Sequence, residues 1–520
     1  MKRKWWVWVL VAWGILVVLP LAAQEASPFS VGDQALVVAE KLPLHTVPQN
    51  DAPVIEDLPV GTLFTLKAGP QQIDGVDWWY VDSGYGWVPA NLDGAAAIVP
   101  FAPELLEQAV SDATMAIAGD PNDAEAYLKR GFARFNQKDY AQAEADYSHF
   151  IDLQPNDSRG YAYRGKLYLD QKNYLAAVSD LTRAVALDPN DLFSLNRLGI
   201  VYENLGQYRS AMDAYNKAIA LRPEWGLVHN NLANVYYDRG DFQTALNDYN
   251  QVVEIDPYYA APYANIGNIY RRAGYYPQAI DAYNHALQLD AQNAIMYLDR
   301  GIAYSNSGDF TSSIADYTRA IELDPNLASA YCNRGADHSD LGQMDEALAD
   351  LKHAVELDPK LACAYYNLGI VYQSLGNFDD SIANYTRAVE IDPTYAAAYY
   401  NRGLVYYNQK NFDLAIADFN KALQIYPNFT RALVWRGNVY TVEGKYDAAI
   451  KDYEAVMQLD PNDPNPYHNR GQIYDTLGEY DKALSDYQHY LALKGSNPDP
   501  AIVRRVQQLE ASETTPTPTP

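Results

Sequence analysis

Six asparagines, Asn231, Asn265, Asn333, Asn367, Asn401 and Asn469, are spaced by 34 residues or by twice that. A side-chain amide donates and accepts hydrogen bonds at once, so a row of amides suits sequence-tolerant contacts to an extended peptide backbone. Asparagine is also a weaker helix former than Lys, Glu or Gln, so its return at exposed helical positions calls for a reason. Plain copying of an ancestral residue is the competing reading. Tyr366, Tyr400, Tyr237 and Tyr407 lie near the same face and would add apolar anchors, and Trp435 joins Tyr366 and Tyr400 as a peptide-binding candidate. Lys129, Tyr163, Arg197, Asp299 and Trp435 occupy the same register elsewhere and interrupt the row.

A second periodic set is ionic. Arg130, Arg164, Arg300, Arg334, Arg402, Arg436 and Arg470 are each followed sixteen residues later by an aspartate: Asp146, Asp180, Asp316, Asp350, Asp418, Asp452 and Asp486. Where the arginine is replaced, by Leu198, Ile266 or Leu368, the aspartate is replaced too, by Ala214, Ala282 or Asn384; Leu232 with Asp248 is the exception. A lone half-buried charge costs more than no pair, so loss in step points to an internal ion pair rather than to a ladder for acidic ligands. The remaining chemistry-bearing residues are sparse. The eight histidines lack metal-like spacing, and His338 stands where other units carry Tyr, a core position. Asn156-Asp157-Ser158, Asn384-Tyr385-Thr386 and Asn428-Phe429-Thr430 match a glycosylation acceptor, a short pattern with meaning in a eukaryotic secretory route. Cys332 and Cys363 fall on successive first helices; a disulfide is open to them, and two free apolar thiols are expected. No acid pair or activated nucleophile is displayed, so no enzyme, metal or cofactor is expected.

The elements that carry these residues follow from one period. Glycines at 131, 165, 199, 267, 301, 335, 369, 403, 437 and 471, with Ala233 in the gap, mark eleven units of 34 residues. Counted from that origin, a small residue falls at +12, a second Gly at +7 in eight units and Pro at +24 in nine. Gly at +7 ends one helix and Pro stops the next, so each unit is a helix pair whose small residues allow close approach. Aromatics at -4, +3, +9 and +16 fill the space around that contact, and hold 31 of the 44 tyrosines. The period and its order of aromatic, Gly, Tyr, Ala, Tyr, Ala and Pro resemble tetratricopeptide repeats. That resemblance implies a mainly α fold, a right-handed α-solenoid superhelix. Its first helices would line a concave groove for peptide segments, with an asparagine ladder similar to that of the O-linked N-acetylglucosamine transferases. The expected layout is a leading unpaired helix at 103–121, eleven repeats at 124–495, a capping helix at 498–511 and a Thr/Pro tail at 512–520.

The N-terminal part is different. Lys2, Arg3 and Lys4 precede an uncharged run from Trp5 to Ala23, an export signal at 1–23 with cleavage expected after Ala23 and an uncleaved anchor as the alternative. The chain is then extracytoplasmic, and any membrane contact runs through this segment alone. After a linker at 24–34, short alternating runs with glycines at 61, 75, 84 and 86 predict a small all-β barrel of about five strands at 35–98. Gly61, Trp79, Gly86 and Trp87 resemble the bacterial SH3-type domain, although Leu44-His45-Thr46 stands in place of the Asn-Val-Arg signature. Such a domain implies cell-wall peptide as a ligand, with Trp78, Tyr80 and Tyr85 as an exposed aromatic groove; the other reading makes these aromatics barrel core.

A net charge of -27, moving to -30 without the three basic residues, repels polyanions, so nucleic acid is not an expected partner. With 48% apolar residues the chain is too hydrophobic to be disordered. The expected function is an exported, non-catalytic scaffold that binds extended segments of partner proteins. The alternative is envelope binding through the barrel, with the repeats as spacer.

Overall fold

The computed structural model describes residues 6–10, 16–20 and 29–513, apart from 30–31, 38–40, 46–47, 49–53, 60–62, 74–75, 82–85, 93–94 and 496–498. The expected cleavage site at Ala23, the groove residue Tyr85 and the tail beyond 513 lie outside the described residues. The chain forms two compact bodies, Met1–Ala303 and Tyr304–Pro520. Among the described residues no helix is long and apolar enough to cross a membrane.

In the first body, β1 (Trp6–Leu10) pairs antiparallel with β2 (Leu16–Pro20). The β region proper has β3 (Gln34–Val37), β4 (Lys41–His45), β5 (Val54–Pro59), β6 (Leu63–Ile73), β7 (Val76–Val81), β8 (Gly86–Pro89), β9 (Asn91–Leu92), β10 (Ala95–Ala96) and β11 (Ile98–Pro100). Seven of these make one antiparallel sheet in the order β11-β3-β6-β7-β8-β4-β5, with β9 and β10 a separate ribbon. That is two strands more than the turn signals predict. β11 is three residues long and too short to show an alternating pattern, yet it returns to pair Ile98 with Val37 and closes one edge.

Side chains alternate across a strand, and β7 uses both faces. Trp79 and Val81 point into an interior shared with Leu42, Leu44, Leu66 and Val88. Trp78 and Tyr80 point the other way, where they meet Trp87, Val252 and Tyr259. Val252 and Tyr259 belong to the repeats, so the β region rests on the helices of its own body.

Two helices per 34-residue period follow from Ala124 onward, 22 in all up to Lys494. Repeat 8, in the second body, shows how the sequence makes them. Its first helix is Ala362–Ser374 and its second Phe378–Ile391. Between them Gly376 has φ 77°, and the N–H groups of Gly376 and Asn377 return to the carbonyls of Gln373 and Tyr372. Asp392 leaves helical geometry before Pro393, as the restriction on a residue preceding proline requires. At the origin, a Cβ on Gly369 would lie 2.5 Å from the Tyr385 ring, so the two helices approach as closely as glycine permits. The leading helix is Pro103–Gly119. The closing helix, Pro500–Glu513, buries Ile502, Val506 and Leu509 against Tyr487 and Tyr490.

Candidate functional site

Within each body, first helices of consecutive repeats touch one another, as Ala328–Asp340, Ala362–Ser374 and Ala396–Asn408 do in the second. The asparagine row lies along these contacts. In the first body Asn231 donates to Asn196 Oδ1 at 2.9 Å and Asn265 to Asn234 Oδ1 at 3.0 Å. In the second body Asn401 donates to the Tyr366 hydroxyl and Asn469 to Asn438 Oδ1, both at 3.0 Å, and Asn367 reaches the Cys332 sulfur at 3.6 Å. Asn333 is half-buried, as are the other five.

This corrects the expectation that the row faces solvent. A helical wheel places the position away from its own helix pair, but the preceding repeat's first helix stands on that flank. One bond uses part of an amide's capacity, which is two donors and a two-lone-pair acceptor. The amides therefore join neighbouring repeats and still border the same side of each stack. In repeats 4–5 and 10–11 the bond extends into a relay. Tyr249 donates to Asn234, which accepts from Asn265; Tyr453 donates to Asn438, which accepts from Asn469. Asn268 likewise accepts from the Tyr283 hydroxyl at 2.7 Å, and Asn234, Asn268 and Asn438 share the +1 register, a signal that was readable in the sequence.

The expected apolar anchors are packing groups in the main. Tyr400 is 9% exposed and lies against Phe429, ring centroids 5.0 Å apart. Tyr366 lies tilted against Tyr395 with ring centroids 4.8 Å apart, and burial raises its hydroxyl above the ordinary range while the Asn401 amide opposes that rise. Trp435 is half-buried with its edge toward Tyr407 at 5.2 Å.

Trp78 and Tyr80 do not form an exposed groove. They are 0% and 1% exposed, covered by the segment that joins repeats 4 and 5. The Tyr80 hydroxyl donates to the Asp256 carboxylate in a short hydrogen bond. Gln71 donates to the Tyr258 hydroxyl at 2.8 Å, and Trp87 meets the Tyr258 ring edge-on at 5.0 Å. Burial pushes the Asp256 carboxyl up to about 7, against the hydrogen bonds from Tyr80 and the Tyr258 N–H.

The ionic set forms within repeats. Arg164 meets Asp180 and Arg334 meets Asp350 at 2.7 Å; Arg130–Asp146, Arg402–Asp418, Arg436–Asp452 and Arg470–Asp486 are equivalent. Sequence reasoning missed a third partner. The free arm of each guanidinium donates to a residue sixteen before it, on the helix preceding the arginine's own: Thr114, Ser148, Asn284, Thr318, Thr386, Asn420 or Glu454. One fork therefore ties three helices. These guanidiniums are committed inside the stack.

The sites thus offer amides and hydroxyls along the first helices, the chemistry of hydrogen-bonded recognition. Profiles described as Tetratricopeptide repeat match residues 128–191, 193–224, 226–292, 326–394, 360–428 and 437–509, and one described as TPR repeat matches 303–336. No curated protein sequence matches the chain. Among solved structures, the APC/C hetero-tetramer Cut9-Hcn1 is similar at 16% identity, with 78% of this chain and 94% of that one covered and a TM-score of 0.41. Yeast Tom70 is similar at 17% identity, 75% and 95% coverage and a TM-score of 0.39. MamA is 32% identical over 31% of this chain and 94% of its own, with a TM-score of 0.29. Matches along most of the chain's repeats place it in a family: this chain belongs to the tetratricopeptide repeat proteins.

Proposed function

We propose that this chain is an exported, non-catalytic scaffold that binds extended segments of partner proteins along the first-helix side of its repeats. The observation that carries the reading is the half-buried row of amides where first helices meet. Five of the six amides, those of Asn231, Asn265, Asn367, Asn401 and Asn469, are held in place by bonds to the neighbouring repeat and keep capacity for a peptide group. Preorganised donors and acceptors at a fixed repeat suit a backbone in extended form, whose own groups recur regularly. The N-terminal β region, read as SH3-type, packs Trp78 and Tyr80 against repeats 4 and 5 instead of displaying them to a cell-wall ligand.

The test is selection of unstructured peptides from a random library on residues 24–511, followed by affinity measurement. Replacing Asn333, Asn367 and Asn401 together by Ala should weaken the selected peptides by about tenfold or more, on the scale of a net hydrogen bond each, with helicity unchanged. Undiminished affinity removes the amide row from the binding face. Export is tested separately by fractionation and N-terminal sequencing, which should find Gln24 first and the chain outside the cytoplasm.

A further inference from the structure

The chain has two cysteines, and consecutive first helices bring them together. Cys332 on Ala328–Asp340 and Cys363 on Ala362–Ser374 have their sulfurs 2.9 Å apart, both as unbonded thiols. The sequence places them on successive first helices, three and six positions before their repeats' origins, which leaves a disulfide open to them. We propose that Cys332 and Cys363 form a redox-active dithiol, which closes to a disulfide linking repeats 7 and 8 when it meets a small-molecule disulfide oxidant.

The two thiols are unequal in ways that assign their roles. Cys363 is the second residue of its helix, where the backbone N–H groups of the first turn and the helix dipole favour an anion, and it is half-buried. Its acidity is increased first by the hydrogen bond it shares with Cys332 and then by the N–H groups of Cys363 and Ala364, with burial opposing. Cys332 is held in the thiol form by that same hydrogen bond and by its full burial. The attacking sulfur is therefore that of Cys363 and the resolving one that of Cys332.

The chemistry balances as two exchanges. The Cys363 thiolate attacks one sulfur of an oxidant RSSR, forming a Cys363–SR mixed disulfide and expelling RS⁻. Cys332 then loses its proton to the expelled thiolate and attacks the Cys363 sulfur, expelling the second RS⁻. Two thiols are oxidised, one oxidant disulfide is reduced to two thiols, and no other electron carrier is needed. Leu361, Leu368 and Val371 enclose Cys332, so a second oxidant molecule is excluded from it while Cys363 is already in contact. Asn367, a member of the amide row, donates to Cys332 at 3.6 Å, so closure also touches the proposed binding face.

The experiment treats the reduced full chain with oxidised glutathione at neutral pH and reads intact mass, alkylation by iodoacetamide and thermal midpoint. The expected result is loss of two hydrogens without an adduct, loss of both alkylatable thiols, one cross-linked 332–363 peptide and a higher midpoint reversed by dithiothreitol. Cys332→Ala should instead trap one glutathione on Cys363, and Cys363→Ala should take up none, each checked for native helicity. A wild-type chain that keeps two alkylatable thiols, or that ends carrying two glutathiones, overturns the proposal; that readout needs no variant to fold.

Discussion

A guanidinium between two helices is a strong tie only while its carboxylate is present. Asp418 is 5% exposed; burial raises its carboxyl above the ordinary value, and Arg402 opposes that rise. Replacing Arg402 by Met leaves that carboxylate buried and unpaired, and should cost about 3–5 kcal/mol at neutral pH by urea denaturation. The raised acid binds its proton more tightly when folded, so its favourable contribution is present in acid and lost as pH rises through the folded value. Arg402→Met should thus recover stability on acidification, whereas the pair Arg402→Met with Asp418→Asn should lose less than the sum of the singles and show a flatter pH profile. Additive losses would mean that the pair is not coupled. The pairing was legible because both partners sit at fixed offsets in one repeat and vary together. The third partner was not: Thr, Ser, Asn and Glu share an acceptor oxygen and no letter of the sequence.

At the scale of the helix pair, the turn after the first helix holds a left-handed residue in all eleven repeats. Eight repeats supply Gly, with φ between 69° at Gly206 and 86° at Gly308. The others supply Lys138, Lys172 and Lys410 at φ 64°, 59° and 63°. A side chain there costs about 1–2 kcal/mol, of which glycine's extra freedom in the unfolded chain returns part. Lys410→Gly should therefore stabilise the second body by about 0.5–1 kcal/mol, and Lys138→Gly and Lys172→Gly the first by similar amounts, read as higher denaturation midpoints. No gain would show that the lysines make compensating contacts. The helix pair was readable from glycine and proline because backbone restrictions are local. The contacts of the asparagine row were not, because the flank of a helix that meets the preceding repeat depends on how repeats stack, which no single helical wheel contains.

At the scale of the whole molecule, the β region was legible as strands and misread as a free module. TrpTrpTyrVal at 78–81 announces a strand with two large faces; what covers the second face lies 176 residues away along the chain from Tyr80, beyond any local pattern. The acidic chain, at -27, gains from protonation generally, so a specific latch must be separated from that background. Asp256 provides the separation. Its carboxyl rises from 3.8 to about 7 where the β region meets repeats 4 and 5, because burial disfavours its charge. A raised acid stabilises the docked state fully below about 3.8, and that contribution is lost as pH climbs through about 7. The span corresponds to a few kcal/mol at most, on the order of 1.4 kcal/mol per unit. Hydrogen exchange in β7 should therefore be better protected at pH 5 than at pH 8, roughly the range that brackets this titration. Asp256→Asn keeps an acceptor for the Tyr80 hydroxyl without a charge to bury, and should hold β7 protected across the same range. If the variant keeps the wild-type pH dependence, general charge repulsion rather than Asp256 governs the docking of the β region on its repeats.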